Sequence, residues 1–182
     1  MICFEFKGGI GSASRKLDAK AGGYTLGVLV QCNCGRRTQL RIAGVPVGAE
    51  IEKQSPREQE RGSIIIVIAT NAPLLPHQLK RIARRASLGV ARTGSISGNG
   101  SGDIFIAFST ANPHANDEPG PNPVRTVSNE RISPLFEATV EATEEAIVNA
   151  MVGAKTMTGI DGHTVVALPH DKLQQVLKKY NR

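Results

Sequence analysis

The stretch Ser63–Thr70, SIIIVIAT, contains five consecutive β-branched apolar residues at positions 64–68. Side chains that branch at Cβ favour extended backbone, and the length of the run is that of a strand. A strand with one face in water alternates apolar and polar residues, but this run has no polar position between its ends. The sequence therefore predicts a strand that is covered on both faces, inside a layered domain.

Helices and further strands are predicted on both sides of this run. Residues 76–90 place Leu79, Ile82 and Ala86 on one stripe of a helix whose other side is basic. Ser133 is predicted to cap a helix that runs to residue 151, with Pro134 at its first position. A last helix is predicted at residues 171–180. Strands are predicted at residues 1–6, 12–17, 24–31, 38–42, 103–109 and 163–168. This combination indicates layered sheets with helices outside.

Composition limits the class of protein. The chain has 182 residues, of which 40% are apolar, so one domain is predicted. No stretch approaches the roughly 20 apolar residues that cross a bilayer, so no membrane partner is predicted. The net charge of +6 raises nucleic acid as a partner, but the basic residues are spread along the chain and only 4% of residues are aromatic. Nucleic acid is therefore not predicted as a partner.

Cysteine usage points to a compartment. Cys3, Cys32 and Cys34 are odd in number, and no secretion signal precedes them. We therefore expect a cytoplasmic protein with free thiols. Cys32 and Cys34 form C-x-C without the second ligand pair of a zinc site, and the histidines are scattered. No metal and no organic cofactor are expected.

The junction Gly62-Ser63 joins a hydrophilic segment, residues 50–61, to the apolar strand. If the chain were cut at this bond, Ser63 would carry a free α-amine beside its hydroxyl. An α-amine with a pKa of about 7.7–8.0 can accept the hydroxyl proton at neutral pH and so activate the serine as a nucleophile. On local chemistry alone, the alternative that Gly-Ser simply ends a loop before a strand remains the stronger one.

Two further segments carry candidate groups. In Gly98-Asn99-Gly100-Ser101-Gly102-Asp103, glycines free backbone amides to act as donors, and Asp103 can orient Ser101 or hold an amine. The segment matches no phosphate-binding motif, and a plain solvent loop is its alternative. Asn33, at the end of a predicted strand, can donate its side-chain amide to a developing oxyanion.

Longer blocks of the chain resemble one family, the DmpA-type L-aminopeptidase/D-esterases that include the β-peptidyl aminopeptidases. The blocks are MICFEFKGGIGSASR, TLGVLVQCNCG, GSIIIVIATNAPLLPHQLKRIARRA, SGNGSGDIFIAFSTAN, LFEATVEATEEAIVNAM and VVALPHDKL. The resemblance implies an α+β fold, a four-layer αββα sandwich that is incomplete at the N-terminus. It also implies a homo-oligomer and hydrolysis of N-terminal residues from peptides, amides or esters with a free amino terminus.

The resemblance assigns roles to residues. The precursor is cleaved between Gly62 and Ser63, so residues 1–62, with a linker at 49–62, end the first subunit and residues 63–182 form the second. Ser63 is the nucleophile, Ser101 and Asp103 form the second serine and the acid of its GSG-acid motif, and Asn33 is the oxyanion donor. Cys34 stands where an aromatic residue is expected.

Other functions remain open at this point. The family's chains are about twice as long, so a truncated, non-catalytic paralogue that acts only as a subunit is one alternative. An acyltransferase with a related sandwich is another, although such enzymes typically present threonine where this chain has Ser63.

Overall fold

The structure, a computed structural model, describes residues 1–51, 62–117 and 119–182. Its main sheet has four strands in the order β3 (Gly9–Lys16), β4 (Thr25–Asn33), β5 (Ser63–Thr70) and β6 (Ile104–Ser109). The first two neighbouring pairs are antiparallel, whereas β5 and β6 are parallel. The strands predicted at residues 12–17, 24–31, 63–70 and 103–109 are thus present, with ends that differ slightly.

Helices connect and cover these strands. The parallel pair β5–β6 is joined through α2 (Pro76–Arg92), and α3 (Ser133–Val152) packs against α2, β3 and β4. Two more helices lie outside this layer, the short α1 (Val47–Glu50) and the C-terminal α4 (His170–Lys179). The buried face of α2 holds Ile82, Ala86 and Val90, as its periodicity predicts.

Small residues let the helices approach the sheet and one another closely. A Cβ added at Gly11 would lie 2.0 Å from the carbonyl oxygen of Ala146, on α3. At Gly89, on α2, it would lie 2.6 Å from Cβ of Thr143. The helix layer is therefore held at a spacing that only glycine permits at these two crossings.

The opposite face of the sheet is apolar and open. Within β5, Ile64, Ile66 and Ile68 are fully buried, whereas the residues between them are only half-buried. The half-buried residues of β5 lie beside residues of the neighbouring strands that point to the same face. The apolar side chains exposed on this face are Ile10, Leu29, Ile104, Ile106 and Phe108. The prediction that this strand is covered on both faces is wrong for the part of the chain that the structure describes, because all helices that pack on the sheet lie on one side.

The N-terminal segment is a small hairpin and not one strand. Residues 1–6 were predicted as a single strand, but β1 (Ile2–Cys3) pairs with β2 (Phe6–Lys7) across a tight turn. Both turn residues, Phe4 and Glu5, have positive φ, at 49° and 62°. Alternation of apolar residues cannot reveal such a turn when no glycine, asparagine or aspartate marks it.

A buried arginine secures that turn. Arg37 Nε donates to the Phe4 carbonyl at 3.1 Å, and its Nη2 donates to the Glu5 carbonyl at 3.0 Å. The guanidinium also lies 3.3 Å from the centre of the Phe6 ring. Burial lowers the pKa of Arg37 from its ordinary value, and the Glu5 charge opposes this shift. These contacts hold non-glycine residues in a conformation that is costly on its own.

Three other local predictions need correction. Residues 38–42 form no strand, since Arg37–Gln39 is a short 3-10 helix followed by an isolated bridge between Ile42 and Val45. Of residues 163–168, only β8 (Thr164–Val165) is a strand, paired with β7 (Met157–Thr158). Ser133 is the first residue of α3, and Ile132 precedes it as the cap.

The remaining segments match their predictions in part. Most of the linker predicted at residues 49–62 falls on residues 52–61, outside the described residues. Residues 49 and 50 belong to α1, and Ile51 is buried. In the described part of residues 111–127, no helix or strand occurs. Within the ranges that the structure covers, no helix is both long and apolar enough to cross a membrane.

Candidate active site

Ser63 begins β5 and is the register partner of Asn33, the last residue of β4. Residues alternate between faces along a strand, so Ser63 shares the open face of the sheet with residues 65 and 67. The Ser63 hydroxyl oxygen accepts a hydrogen bond from the backbone N–H of Gly102 at 2.8 Å. The loop before β6 thus reaches the first residue of β5.

Asp103 organises that loop. Its Oδ1 accepts the backbone N–H of Ile64 at 3.0 Å and also accepts the Ser101 hydroxyl. Its Oδ2 accepts the Ser97 hydroxyl at 2.7 Å. One carboxylate therefore ties the residue after Ser63 to Ser97 and Ser101 of the loop, and it holds Ser101 and Gly102 beside the start of β5.

Asn33 lies on the other side of the Gly62-Ser63 bond. A Cβ placed on Gly62 would lie 3.0 Å from Asn33 Nδ2 and 2.0 Å from the Asn33 carbonyl oxygen. The side-chain oxygen of Asn33 is engaged elsewhere, since it accepts the backbone N–H of Ile2 at 2.8 Å. The amide nitrogen is therefore the polar atom of this side chain that lies next to Gly62.

The expectation that all three cysteines are free thiols is wrong, because a disulfide lies beside Asn33. Cys3 and Cys32 form a disulfide, while Cys34 carries a buried thiol outside that pair. All three sulfur atoms lie within 4.8 Å of one another. Sequence reasoning compared Cys32 only with Cys34, its neighbour in the chain, and missed Cys3 because the fold alone brings that residue to β4.

Two cavities lie near these residues without including them. One, of about 690 Å³, lies between the N-terminal hairpin and the β7–β8 hairpin, and Ile2, Lys7 and His163 line it. The other, of about 600 Å³, lies on the open face of the sheet, against Val67 and Phe108.

All four residues singled out from the sequence come together at one end of the open face. Ser63, Ser101, Asp103 and Asn33 are each half-buried and surround the Gly62-Ser63 bond. Sequence reasoning missed Ser97 and the Gly102 amide as specific partners. The glycines of residues 98–102 were the available signal, since they indicated exposed amide donors without saying which one meets Ser63.

The arrangement offers three groups to an acyl-transfer reaction. The Ser63 hydroxyl is next to the Gly62 carbonyl, and the side-chain nitrogen of Asn33 is close to Gly62. The Asp103 carboxylate, which accepts a hydrogen bond from the Ser101 hydroxyl, lies in the same loop as Gly102, whose amide donates to Ser63. Such a set can provide a nucleophile, oxyanion stabilisation and proton positioning.

Comparison with known proteins identifies the family. A model described as peptidase family S58 matches residues 1–165. The chain belongs to this family. The peptidase family that the resemblance indicated is thereby confirmed.

Curated relatives in this family are β-peptidyl aminopeptidases. The enzyme BapA of Sphingosinicella microcystinivorans is 49% identical, and the match covers 100% of this chain and 50% of that protein. BapA of Sphingosinicella xenopeptidilytica is 45% identical, with 98% and 48% covered. This chain therefore spans about half the length of the curated relatives that it matches.

Solved structures agree with the fold class. An L-aminopeptidase D-Ala-esterase/amidase from Ochrobactrum anthropi, described as a prototype of the serine aminopeptidases and a variant of the Ntn hydrolase fold, matches with a TM-score of 0.90 and 48% identity. The match covers 100% of this chain and 51% of that one. A β-aminopeptidase from Burkholderia gives 0.87 and 47%, covering 98% and 51%. The predicted α+β sandwich is confirmed.

Proposed function

We propose that this chain is part of a self-processing serine aminopeptidase that is cut between Gly62 and Ser63 and then uses Ser63 as its nucleophile. The hydrogen bond from the Gly102 amide to the Ser63 hydroxyl oxygen carries the proposal. It holds the hydroxyl at the first residue of β5, an inner strand of the sheet, where a chain terminus created by cleavage would remain fixed.

Self-cleavage begins with the uncut peptide bond. Ser63 Oγ attacks the carbonyl carbon of Gly62, and Asn33 Nδ2 supplies a donor for the oxygen that becomes negative. When the carbon–nitrogen bond breaks, the nitrogen of Ser63 takes a proton and becomes an α-amine. Water then hydrolyses the ester between Gly62 and Ser63, which leaves a free carboxyl group at Gly62 and a free hydroxyl at Ser63.

Turnover of a substrate repeats the same chemistry. The new α-amine of Ser63 accepts the hydroxyl proton while Oγ attacks the carbonyl of the first substrate residue. The proton passes to the leaving amine or alcohol, and water releases the acyl group. Ser101 and Asp103 position protons or hold an ammonium group near this centre. The reaction uses no cofactor.

Names of relatives support the substrate class. The relatives are called β-peptidyl aminopeptidases and an L-aminopeptidase D-Ala-esterase/amidase. We infer that this site acts on peptides, amides or esters with a free amino terminus.

Electrophoresis and mass spectrometry of the purified protein test the cleavage. The wild type should give two fragments, residues 1–62 and 63–182, and the second should begin with Ser63. The Ser63→Ala variant should stay whole, whereas Ser87→Ala, which removes an exposed hydroxyl on α2, should cleave like the wild type. An uncut wild-type chain would rule out self-processing of this polypeptide.

A second candidate, a non-catalytic subunit, is favoured by the open apolar face of the sheet. Exposed Ile104, Ile106 and Phe108 on the edge strand β6 form a surface of the kind that another polypeptide covers. We propose that a polypeptide equivalent to the half of the relatives' length that this chain does not match covers this face of the sheet. If hydrolysis appears only when such a polypeptide is added, and never in the Ser63→Ala complex, this chain supplies the nucleophile to a two-chain enzyme. If it appears equally in that variant complex, the chain is a non-catalytic subunit.

A further inference from the structure

The N-terminal hairpin is docked onto the end of β4 by two hydrogen bonds that flank Cys3. The Ile2 amide donates to the side-chain oxygen of Asn33 at 2.8 Å, and the Phe4 amide donates to the Cys34 carbonyl at 2.8 Å. Between them, Cys3 is bonded to Cys32, the neighbour of Asn33. The disulfide thus joins Cys3, the neighbour of the donor Ile2, to Cys32, the neighbour of the acceptor Asn33.

The bond from Ile2 fixes which end of the Asn33 carboxamide faces the reaction. A primary amide presents an oxygen that only accepts and a nitrogen that only donates, and the two ends exchange by a rotation of about 180°. A backbone N–H can be accepted only by the oxygen. While Ile2 holds Oδ1, Nδ2 is directed towards Gly62, within 3.0 Å of a Cβ placed there.

The hairpin has little backbone pairing of its own to hold that amide in place. Strands β1 and β2 are two residues each, and their turn residues have positive φ. The approach to β4 is close, because a Cβ added at Gly8 would lie 2.5 Å from the Cys32 carbonyl oxygen and 2.9 Å from Cys3 Cβ. A covalent bond across this contact joins residues 29 apart in sequence. It therefore limits how far Ile2 can move from Asn33.

We propose that the Cys3–Cys32 disulfide is a positioning element for the reaction, because it holds the Ile2 amide against Asn33 and so keeps Nδ2, and not Oδ1, next to Gly62. The inference rests on the proposed role of Asn33 as oxyanion donor. Ile2 and Cys3 act through Asn33 and are not catalytic residues themselves.

The structural part of the inference is tested without any activity. The probe is the full ¹⁵N-labelled chain in a Ser63→Ala background, before and after dithiothreitol, which reduces the disulfide to two thiols and becomes a cyclic disulfide. On reduction, the Ile2 amide should exchange with solvent about tenfold faster or more, and the Asn33 side-chain amide signals should shift, while the centre of β5 stays protected. Unchanged Ile2 exchange and unchanged Asn33 signals would overturn the inference.

The functional part is tested by the rate at which Gly62-Ser63 is cut. Cys3→Ala should slow cleavage about 10- to 100-fold, approaching the loss of one oxyanion donor. Cys34→Ala removes a neighbouring sulfur but keeps the disulfide, so its rate should remain near that of the wild type. Ile82→Ala, in the core of α2, weakens the fold with the disulfide intact.

The outcomes separate the two proposals. If Ile82→Ala slows cleavage as much as Cys3→Ala does, general stability explains the effect and the positioning inference is overturned. If the wild type is never cut, self-processing fails, and the exchange and signal measurements alone decide the inference. If Cys3→Ala does not fold, cleavage in the reduced wild type replaces it.

Discussion

Gly62 lies directly against the backbone of Asn33, so that a Cβ at Gly62 would be 2.0 Å from the Asn33 carbonyl oxygen. No real side chain tolerates that distance, so any residue with a Cβ at position 62 must displace one of the two strands' ends. The same contact places Gly62 beside Asn33 Nδ2. Packing against Asn33 therefore requires glycine at position 62, the residue whose carbonyl is attacked in the proposed cleavage.

The first prediction concerns this contact. Gly62→Ala should slow self-cleavage by roughly 100-fold, because a displacement of about 1 Å at a reacting carbonyl has an effect of that order. Gly102→Ala adds the same methyl group next to Ser63, but at 3.5 Å from Ser63 Oγ, an ordinary contact, and keeps the amide donor. Cleavage followed by electrophoresis should therefore be little affected in Gly102→Ala. Equal rates in the two variants would contradict the prediction.

The second prediction separates the two serines that donate to Asp103. Ser101→Ala should reduce cleavage and hydrolysis about 100-fold or more, as expected when a group that positions a proton is lost. Ser97→Ala also removes a hydroxyl from Asp103, but from the other carboxylate oxygen, which makes no contact with Ile64. Its rates should stay near those of the wild type. Similar losses would show that both serines only hold the carboxylate in place.

The third prediction concerns packing between sheet and helix. Gly11→Ala should destabilise the fold by ~1–3 kcal/mol or more, because the added carbon meets the Ala146 carbonyl at 2.0 Å. Gly27→Ala is a matched control in the neighbouring strand, since nothing lies within 4 Å of its added carbon. It should leave stability unchanged or raise it by roughly 0.5–1 kcal/mol. Thermal unfolding measures both variants, and a stable Gly11→Ala would contradict the close approach.

The fourth prediction concerns pH. Glu50 accepts hydrogen bonds from Lys179 and Tyr180, which lower the pKa of Glu50 from its ordinary value of 4.5. The Glu50 contacts raise the pKa of Tyr180 from 10.0 and that of Lys179 from 10.5. Stabilisation by this cluster is therefore complete between about pH 4.5 and 10, and it is lost below and above that window.

The matched measurement compares the midpoint of thermal unfolding of wild type and Glu50→Gln across pH. The difference between the two should be largest in the neutral range and should shrink as pH falls through the lowered pKa of Glu50. It should also shrink as pH rises through the raised pKa of Tyr180. Lys179 and Tyr180 are exposed and Glu50 is half-buried, so the difference is small, and one that grows in acid would contradict the assignment.

Local sequence pattern was sufficient for the long elements. The spacing of Ile82, Ala86 and Val90 predicts the buried face of α2, the turn-rich residues 19–23 separate the strands predicted for β3 and β4, and the continuous apolar run predicts β5. It was insufficient where elements are short. Residues 1–6 and 38–42 show strand-like alternation, but turn geometry and packing around Arg37 determine their structure.

Local pattern was enough to locate the main strands and helices, and the sequence singled out Ser63, Ser101, Asp103 and Asn33 as candidates for the chemistry. Only the packed fold shows that Cys3 meets Cys32, that the Ile2 amide donates to the Asn33 side chain, and that one face of β5 is open in the described part of the chain. The physical reason is distance along the chain. Periodicity reports how neighbouring side chains share a face, whereas a disulfide or a hydrogen bond between residues about 30 apart exists only after packing brings them together.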